Sequence, residues 1–259
     1  VRFAATSNRA DPTMTGRFIV VIPARYDSSR LPGKPLADIG GRPMIEWVYE
    51  RACQSGADPV IIATDDERIA AVGRDAGAMV ELTASHHESG TDRIAEVAER
   101  YEWADDQIIV NVQGDEPLLP LTLISQVAAL LSGDRDAAVA TLATPIRSQD
   151  EWQDPNLVRV VVDSHDRALY FSRAPIPWPR EGGMPPSLRH VGLYAYRVKA
   201  LKQLAATPLC ELERVERLEQ LRVLWLGMKI VVAEACEAPP RGVDTAEDLD
   251  VVRSELGSV

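Results

Sequence analysis

Short apolar runs of β-preferring residues recur along the first half of the chain, and each gives way to polar residues and then to a helical pattern. Three of these runs are FIVVI at 18–22, VIIAT at 60–64 and IIVNV at 108–112. Unbroken hydrophobicity, rather than strict alternation, is typical of strands buried on both faces of a parallel sheet. The pattern therefore predicts a buried parallel sheet.

Amphipathic helices are predicted between these strands. The segment 44–57 carries an apolar stripe with charged residues on its other side, and Gly56 is expected to end the helix. A second helical pattern at 67–78 leads into the strand-like run AMVELT at 78–83. Strand–helix–strand crossovers in this order predict an α/β fold with a doubly wound, mostly parallel sheet.

The regular alternation stops near residue 147. Two β-like runs, at 157–163 and 168–181, predict an antiparallel hairpin that leads to a Pro-rich loop, and 189–198 is another strand-like run. The segment 212–227 has the periodicity of one continuous helix. The apolar side of that helix is expected to comprise Leu212, Val215, Leu218, Leu221 and Leu224.

These patterns predict a single domain from 18 to 259, with an antiparallel insertion at about 155–228, called the insertion below. Residues 1–17 lack periodicity and are rich in small, polar and turn-forming residues, so we interpret them as a flexible N-terminal tail. A last strand is predicted at 229–235, followed by a helix that Thr245 caps. No linker composition separates a second domain.

The composition argues against several classes of function. The 259 residues are 46% hydrophobic and 26% charged, with a net charge of −11, which argues against nucleic-acid binding. No apolar run approaches the ~20 residues that cross a bilayer, so membrane insertion is not expected. Three widely spaced cysteines favour a reducing cytoplasm. Because the four histidines form no metal motif, a hard cation held by carboxylates is the more natural metal.

A cationic loop follows the first predicted strand in this acidic chain. Arg25, Arg30 and Lys34 fall within ten positions. Their charge alone leaves open whether the loop is ordinary solvated surface or an anion site. Small residues such as Ser28 and Gly33 allow phosphate oxygens to approach the backbone and favour the anion site. The loop has neither the P-loop pattern nor the GxGxxG dinucleotide pattern.

Two further polar segments follow predicted strands. Asp115 comes directly after the fourth strand, at the same sheet edge as the cationic loop. Acidic residues there are often plain loop residues, but a carboxylate beside phosphates commonly binds Mg²⁺, and we favour a metal role. The segment SGTD at 89–92 precedes a helical pattern. It is interpreted either as a simple helix cap through Ser89 or Thr91, or as a helix N-terminus that faces a ligand.

Eight segments of the chain, taken in order, closely resemble one family, the 3-deoxy-manno-octulosonate cytidylyltransferases, also called CMP-Kdo synthetases. The resemblance extends from about Arg17 to Leu256. The segments are VIPARYDSSRLPGKPL, ATDD, SGTDRIAEV, IIVNVQGDEP, ALYFSRAPIPW, RHVGLYAYR, LEQLRVLW and GVDTAEDL. The resemblance implies a Rossmann-like nucleotidyltransferase fold and an enzyme that transfers CMP from CTP to the sugar acid Kdo. It further implies pyrophosphate release, a Mg²⁺ cofactor, a homodimer, and a cytoplasmic product destined for lipopolysaccharide.

The resemblance also implies roles for individual residues. The residues implied to bind the nucleotide are Ala24, Arg25, Ser28, Arg30, Lys34, Ser89, Gly90, Thr91 and Gln113. The residues implied to act in catalysis are Arg25, Lys34, Asp115 and Asp244, the last two as magnesium ligands. The residues implied to bind the sugar are Arg173, His190, Tyr194, Glu219 and Gln220. Without the resemblance, His190 and Glu219 would pass as structural or solvated residues.

Three alternatives remain at this stage. The first is a cytidylyltransferase for another sugar acid, such as a sialic acid. The second is a glycosyltransferase, although NVQGDEP offers no DxD triplet. The third is a non-catalytic nucleotide sensor, which would not need two metal-binding aspartates. Pyrophosphate release from CTP with a panel of sugar acids separates all three from a Kdo cytidylyltransferase.

Overall fold

The computed structural model of the chain describes residues 17–27, 31–240 and 242–256. The tail expected at 1–17 therefore lies outside the described residues except for Arg17. Ser28 and Arg30, two residues of the cationic loop with predicted roles, also lie outside them. Their assignments stay predictions.

Strands and helices alternate through the first half of the described chain, as the sequence predicts. The strands are β1 (Ile19–Ala24), β2 (Asp38–Ile39), β3 (Arg42–Pro43), β4 (Val60–Thr64), β5 (Met79–Leu82), β6 (Ile108–Asn111), β7 (Val139–Pro145), β8 (Arg159–Val162), β9 (Ala168–Ser172), β10 (Leu188–Arg197) and β11 (Ile230–Glu234). The α-helices are α1 (Met44–Gln54), α2 (Glu67–Asp75), α3 (Gly90–Arg100), α4 (Leu121–Gly133), α5 (Gln149–Gln153), α6 (Val198–Ala205), α7 (Glu211–Glu216), α8 (Gln220–Trp225) and α9 (Ala246–Leu256). A 3₁₀ turn covers Lys34–Leu36.

One mixed sheet organises the molecule, with the strand order β11-β7-β10-β6-β1-β4-β5. β1 lies between β4 and β6 and is parallel to both, and β4 is parallel to β5. β7 and β11 are also parallel to each other. β10 is antiparallel to both of its neighbours, β6 and β7. The predicted fold class, a mostly parallel sheet with an antiparallel part, is confirmed.

Both faces of the central strand β1 are buried, which explains its unbroken apolar sequence. Val20 and Ile22 belong to the cluster that packs against α1 and α4, whereas Ile19 and Val21 belong to the cluster that packs against α3 and α6. Successive side chains of a strand point to opposite faces, so one run of apolar residues serves both helical layers.

The helix boundaries follow local capping chemistry. The Asp66 side chain accepts a hydrogen bond from the Arg68 amide at 2.9 Å and begins α2. Gly56 follows α1 with φ of 85°, a conformation that glycine adopts without steric cost. The Thr245 hydroxyl accepts from the Asp248 amide at 3.2 Å, which confirms the predicted cap of α9.

The insertion differs from the sequence-based prediction in three features: the position of β10, the presence of α6 and a break in the helix predicted at 212–227. The hairpin of β8 and β9 is antiparallel, as predicted, but the next strand, β10, enters the middle of the main sheet. The helix α6 was not predicted from sequence. The predicted continuous helix at 212–227 is wrong, because Arg217 adopts the left-handed region with φ of 56° and separates α7 from α8.

The break also corrects the predicted apolar side of that helix. Leu218 and Leu221 are buried, as expected, whereas Leu212 is 41% exposed and Val215 is 73% exposed. Helical periodicity relates positions only while the backbone hydrogen-bond pattern continues. The residues before Arg217 therefore do not share a buried face with those after it.

Candidate active site

A polar cavity of about 280 Å³ opens at the carboxyl edge of the parallel strands. In open α/β sheets this edge is where ligands bind. Ala24 ends β1 there, and Gly90 begins α3 beside it. The lining residues are Pro23, Ala24, Arg25, Lys34, Pro35, His87, Glu88, Ser89, Gly90, Arg93, Gln113, Gly114, Asp115 and Asp244. The cavity thus brings together every predicted nucleotide and catalytic residue that the structure describes, except Thr91.

Lys34 joins two carboxylates that are far apart in the chain. Its Nζ lies 2.5 Å from Asp115 Oδ2 and 3.4 Å from Asp244 Oδ1, and it also donates to the Val243 carbonyl at 2.9 Å. The Val243 amide in turn donates to the Asp115 carbonyl at 2.9 Å. These contacts hold the segment before α9 against the loop after β6. The two aspartates predicted as metal ligands are therefore adjacent in space.

A third carboxyl group, which the sequence reasoning did not single out, lies under the same site. Burial and, to a smaller extent, the negative charges of Asp115 and Asp244 together raise the pKa of Glu116 to about 8. Its buried Oε2 has no hydrogen-bond partner within the part of the chain that the structure describes. Glu116 is therefore mostly protonated at neutral pH, which limits the negative charge beside Lys34. Its position directly after Asp115 was the available signal.

The N-terminus of α3 forms part of the wall of the cavity. Ser89 Oγ accepts a hydrogen bond from the Asp92 amide at 3.1 Å, which identifies Ser89 as the cap. A Cβ atom on Gly90 would lie 3.0 Å from Pro23 Cγ, and one on Gly114 would lie 3.1 Å from the Pro23 carbonyl oxygen. Both glycines therefore permit close backbone approach around the end of β1.

His87 was missed by the sequence reasoning, and Arg93 was considered only together with the ligand-facing N-terminus of α3. The partners of both residues lie elsewhere in the chain. His87 Nε2 lies 2.5 Å from Glu96 Oε2, and the buried Arg93 pairs with Asp65 Oδ2 at 3.1 Å. Burial alone would raise the pKa of Glu96, but hydrogen bonds from the Ala84 amide and His87 and the charge of Arg100 leave it below its ordinary value. The ionised Glu96 thus orients the His87 ring.

The predicted sugar residues lie outside the lining of this cavity, on the insertion. His190 and Tyr194 lie on β10 with their ring centroids 5.2 Å apart, and His190 Nε2 is 3.0 Å from Thr141 Oγ1. Burial lowers the pKa of His190 to about 3 and raises the pKa of Tyr194 well above its ordinary value. Both side chains are therefore neutral hydrogen-bonding groups at neutral pH.

The remaining sugar candidates lie just after β9 and at the start of α8. Thr91 donates its hydroxyl hydrogen bond to Glu219 Oε1, so the start of α3 contacts the start of α8. Gln220 is the first residue of α8 and is 7% exposed. Arg173 is held by Glu216, whose side chain accepts from the Arg173 amide at 3.0 Å and whose carbonyl accepts from Arg173 Nε at 3.1 Å.

The chemistry of the site suits a hard cation held partly by a substrate. The residues described by the structure include no group of three or more His, Cys, Asp or Glu side chains arranged to hold a metal ion. Two aspartates that meet at one lysine fit a different arrangement, because Mg²⁺ is commonly held by one or two carboxylates together with substrate phosphates.

Among the described helices, none has the length and apolar character needed to span a bilayer.

Comparisons with known proteins point to one family. Residues 19–230 match the family described as cytidylyltransferase. The 3-deoxy-manno-octulosonate cytidylyltransferase of Tolumonas auensis is 57% identical over 249 residues, covering 93% of this chain and 98% of that protein. Its counterpart in Photobacterium profundum is 56% identical, covering 93% of this chain and 99% of that protein.

A solved structure agrees with these relatives. It is that of CMP:2-keto-3-deoxy-manno-octonic acid synthetase complexed with CTP, which has a TM-score of 0.88 and 44% identity and covers 94% of this chain and 99% of that one. The similarity therefore includes the insertion as well as the parallel part of the sheet.

Proposed function

Since the chain belongs to the cytidylyltransferases, and within them to the 3-deoxy-manno-octulosonate cytidylyltransferase family, we propose that it transfers CMP from CTP to Kdo. The products are CMP-Kdo and pyrophosphate, and the activated sugar serves lipopolysaccharide synthesis. The observation that carries this proposal is the meeting of Lys34, Asp115 and Asp244 in the cavity that Arg25 also lines. That cavity combines cations for phosphates with carboxylates for a metal.

The reaction joins two anions, so its main requirement is charge neutralisation and alignment. The anomeric hydroxyl of Kdo attacks the α-phosphorus of CTP, its proton is lost, and the bond from the α-phosphorus to pyrophosphate breaks. Arg25 and Lys34, which line the cavity, would offset the charge that builds on the departing pyrophosphate. Amides at the N-terminus of α3, beside Gly90, would bind the nucleotide. Positioning of this kind accounts for most of the catalysis in phosphoryl-type transfer.

Asp115 and Asp244 would hold the Mg²⁺ ion. Their carboxylate oxygens are donors of the kind that Mg²⁺ prefers, and they already converge on a single cation, Lys34 Nζ. When bound, Mg²⁺ would lower the pKa of the attacking hydroxyl and screen the α-phosphate. Lys34 would then share the carboxylates with the metal and turn its charge toward the phosphates.

The sugar acid is assigned to the side of the insertion. Arg173 supplies a positive charge for the Kdo carboxylate, while the neutral His190 and Tyr194 and the amide of Gln220 offer hydrogen bonds to hydroxyl groups. Glu219 contacts Thr91, whose neighbours Ser89 and Gly90 line the nucleotide cavity. This contact supports a sugar pocket that lies beside the nucleotide.

A second copy of the same chain is the proposed partner. Most of the large apolar side chains exposed in the described part of the chain lie in the insertion. They are Leu169, Trp178, Met184, Leu209, Leu212, Val215 and Trp225. A concentration of such residues on one element is typical of an interaction surface, and burial in a homodimer would account for it. Light scattering of the wild type and of Val215→Glu tests this: a dimer that the variant weakens is expected, and a monomeric wild type would contradict it.

The cysteines support a cytoplasmic reaction. Cys53, Cys210 and Cys236 are all free, and reduced cysteines are the norm in a reducing compartment. The proposal of a cytoplasmic location rests on this chemistry and on the nature of CTP as a substrate.

Pyrophosphate release from CTP is the experiment that tests the proposed function. The purified protein is incubated with CTP and Mg²⁺ and with Kdo, a sialic acid or no acceptor, and pyrophosphate is measured over time. We expect rapid release with Kdo, much slower release with the sialic acid, and almost none without an acceptor or with EDTA. Faster release with the sialic acid would identify a different sugar acid. Binding of CTP without release under any condition would favour a sensor.

A further inference from the structure

A buried arginine next to the proposed sugar pocket has no role in the function proposed above. Arg222 on α8 is 5% exposed, and all three of its guanidinium nitrogens have polar neighbours. Nη1 donates to the Thr207 carbonyl at 2.7 Å and to the Leu204 carbonyl at 3.1 Å. Nε lies 3.1 Å from Glu213 Oε2 without the geometry of a hydrogen bond, and Nη2 lies 3.7 Å from Glu219 Oε2, so both contacts are ion pairs. The two carbonyls fix the direction of the planar group through Nη1, and the two carboxylates attract it electrostatically.

The Glu219 carboxylate has one hydrogen bond and one ion-pair contact. Oε1 accepts the hydroxyl of Thr91, a buried residue of α3, and Oε2 faces Arg222. Glu219 and Arg222 are three positions apart at the start of α8, so their side chains meet on the same face of the chain. A glutamate side chain without these contacts would sample several rotamers. Fixing it in advance lowers the entropic cost of binding, and therefore strengthens the binding of any ligand that it holds.

Glu213 completes the arrangement. It reaches Arg222 from α7, on the other side of the left-handed break at Arg217. The break lets two short helices point a carboxylate each at a single guanidinium, which one continuous helix over 212–227 would not do. Removal of Glu213 would leave the buried guanidinium with less negative charge around it and would draw Arg222 toward Glu219.

We propose that Arg222, oriented by Glu213, is a positioning residue that fixes the Glu219 carboxylate for the sugar acid, and that Thr91 joins this carboxylate to the nucleotide side. The inference rests on the proposed function and deepens it, because it names what prepares one wall of the acceptor pocket. Arg222 contacts Glu219 and two backbone carbonyls and does not line the nucleotide cavity. Its loss should therefore affect the sugar acid and leave CTP binding unchanged.

The test separates the KM for each substrate in Arg222→Lys, which keeps the charge but loses the planar fork. Loss of an oriented charge-assisted contact is expected to raise the KM for Kdo about ten-fold, with the KM for CTP unchanged. Arg222→Lys is then also made in the Glu219→Gln variant. Because Arg222 acts through the Glu219 carboxylate, its substitution should have little further effect on the Kdo KM in that background.

A purely structural role for Arg222 predicts a different result. Arg222→Lys would then change the Kdo KM by the same factor with and without Glu219→Gln, or would change both KM values together, and either outcome overturns the inference. An unchanged Kdo KM overturns it as well. If the lysine variant does not fold, the neutral pair Arg222→Gln with Glu213→Gln replaces it, since no buried charge is then left unpaired.

A matched control and a wild-type baseline complete the design. Arg197 donates to the carbonyls of Ala137, Asp106, Leu131 and Asp134 but lies away from Glu219. Arg197→Lys is expected to lower the melting temperature without raising the Kdo KM. A wild type that releases no pyrophosphate with Kdo overturns the proposed function, whereas an active wild type with an unaffected Arg222→Lys variant overturns only the positioning role.

Discussion

The carboxyl edge of the parallel strands and the insertion present polar groups in two different ways. At the parallel edge the groups are charged, lie in loops at strand ends, and neutralise one another, as Lys34 does for Asp115 and Asp244. In the insertion they lie within a strand or a helix, and burial keeps His190 and Tyr194 neutral. The first arrangement suits a triphosphate with a metal, and the second suits the hydroxyl groups of a sugar.

The two regions also differ in how their geometry is maintained. The aspartates at the parallel edge are partly open to solvent, with 32% and 50% of their side chains exposed, and Lys34 holds them together. His190 in the insertion is surrounded by Phe171, Tyr194 and Thr141. A salt-bridged site can rearrange when a metal and phosphates enter, whereas a packed site is largely formed in advance. Mutations should therefore separate the two regions.

The largest expected effect is at the parallel edge. Asp115→Ala and Asp244→Ala should each lower kcat about a thousand-fold, because each removes a ligand that organises charge around the reacting phosphates. The fold should persist, since neither side chain belongs to the core. Single-turnover measurement of CMP-Kdo formation at saturating Mg²⁺ checks the rate, and circular dichroism checks the fold.

Asp136→Ala is the matched control for these two variants. Asp136 is also a carboxylate paired with a lysine, at 3.5 Å from Lys229 Nζ, but it lies away from the cavity. Its removal should leave kcat unchanged. Near-normal Mg²⁺-dependent activity in Asp115→Ala or Asp244→Ala would remove that residue from the metal site and break the contrast between the two regions.

Substitution of single cations should have a smaller effect, and that effect should fall on the KM of one substrate only. Lys34→Ala should raise the KM for CTP by up to about a hundred-fold and affect the KM for Kdo far less, because the proposed role of this charge is to bind the phosphates. Arg173→Ala should have the reverse selectivity, since Arg173 lies on the insertion beside Glu216. Arg25→Ala is expected to resemble Lys34→Ala.

Separate titration of the two substrates measures this split. Exposed Lys202, paired with Asp105 at 3.4 Å, provides a control lysine whose change to alanine should alter neither KM. If Lys34→Ala and Arg173→Ala raise the same KM, the division of the two substrates between the two regions is wrong.

Much of the parallel region could be predicted from sequence because its signals are local. An apolar run such as 18–22 encodes burial on both faces, and the polar residue that follows a parallel strand must lie at the carboxyl edge. This reasoning placed Arg25, Lys34 and Asp115 in one cavity without any knowledge of the packing. It could not identify His87 or the pairing of Arg93, because these depend on Glu96 and Asp65, which only the folded chain brings near.

The insertion was harder to predict because its structure depends on long-range pairing. The periodicity at 189–198 identified a strand, but no local signal states that β10 lies between β6 and β7. The break at Arg217 was also hidden, since a non-glycine residue with positive φ has no strong sequence signature. The sugar residues were assigned through the family resemblance, and their roles stay predictions.

The last expected effect concerns the pH dependence of stability rather than turnover, and it belongs to the insertion. Burial lowers the pKa of His190 to about 3, below the value of about 6.5 expected in the unfolded chain. Between these values the unfolded chain binds a proton that the folded protein does not, so the contribution of His190 to stability is complete above pH 6.5 and is lost as the pH falls toward 3. In urea unfolding from pH 7 to 4, the free energy of unfolding should fall by up to about 1.4 kcal/mol per pH unit from this one group.

His190→Gln should remove this part of the pH dependence of the unfolding free energy. His165→Gln, at an exposed residue in the turn between β8 and β9, is the control and should retain it. An identical slope in His190→Gln and the wild type would mean that His190 is hydrated in the folded protein. The contrast between the charged groups of the parallel edge and the neutral rings of β10 would then not extend to this residue.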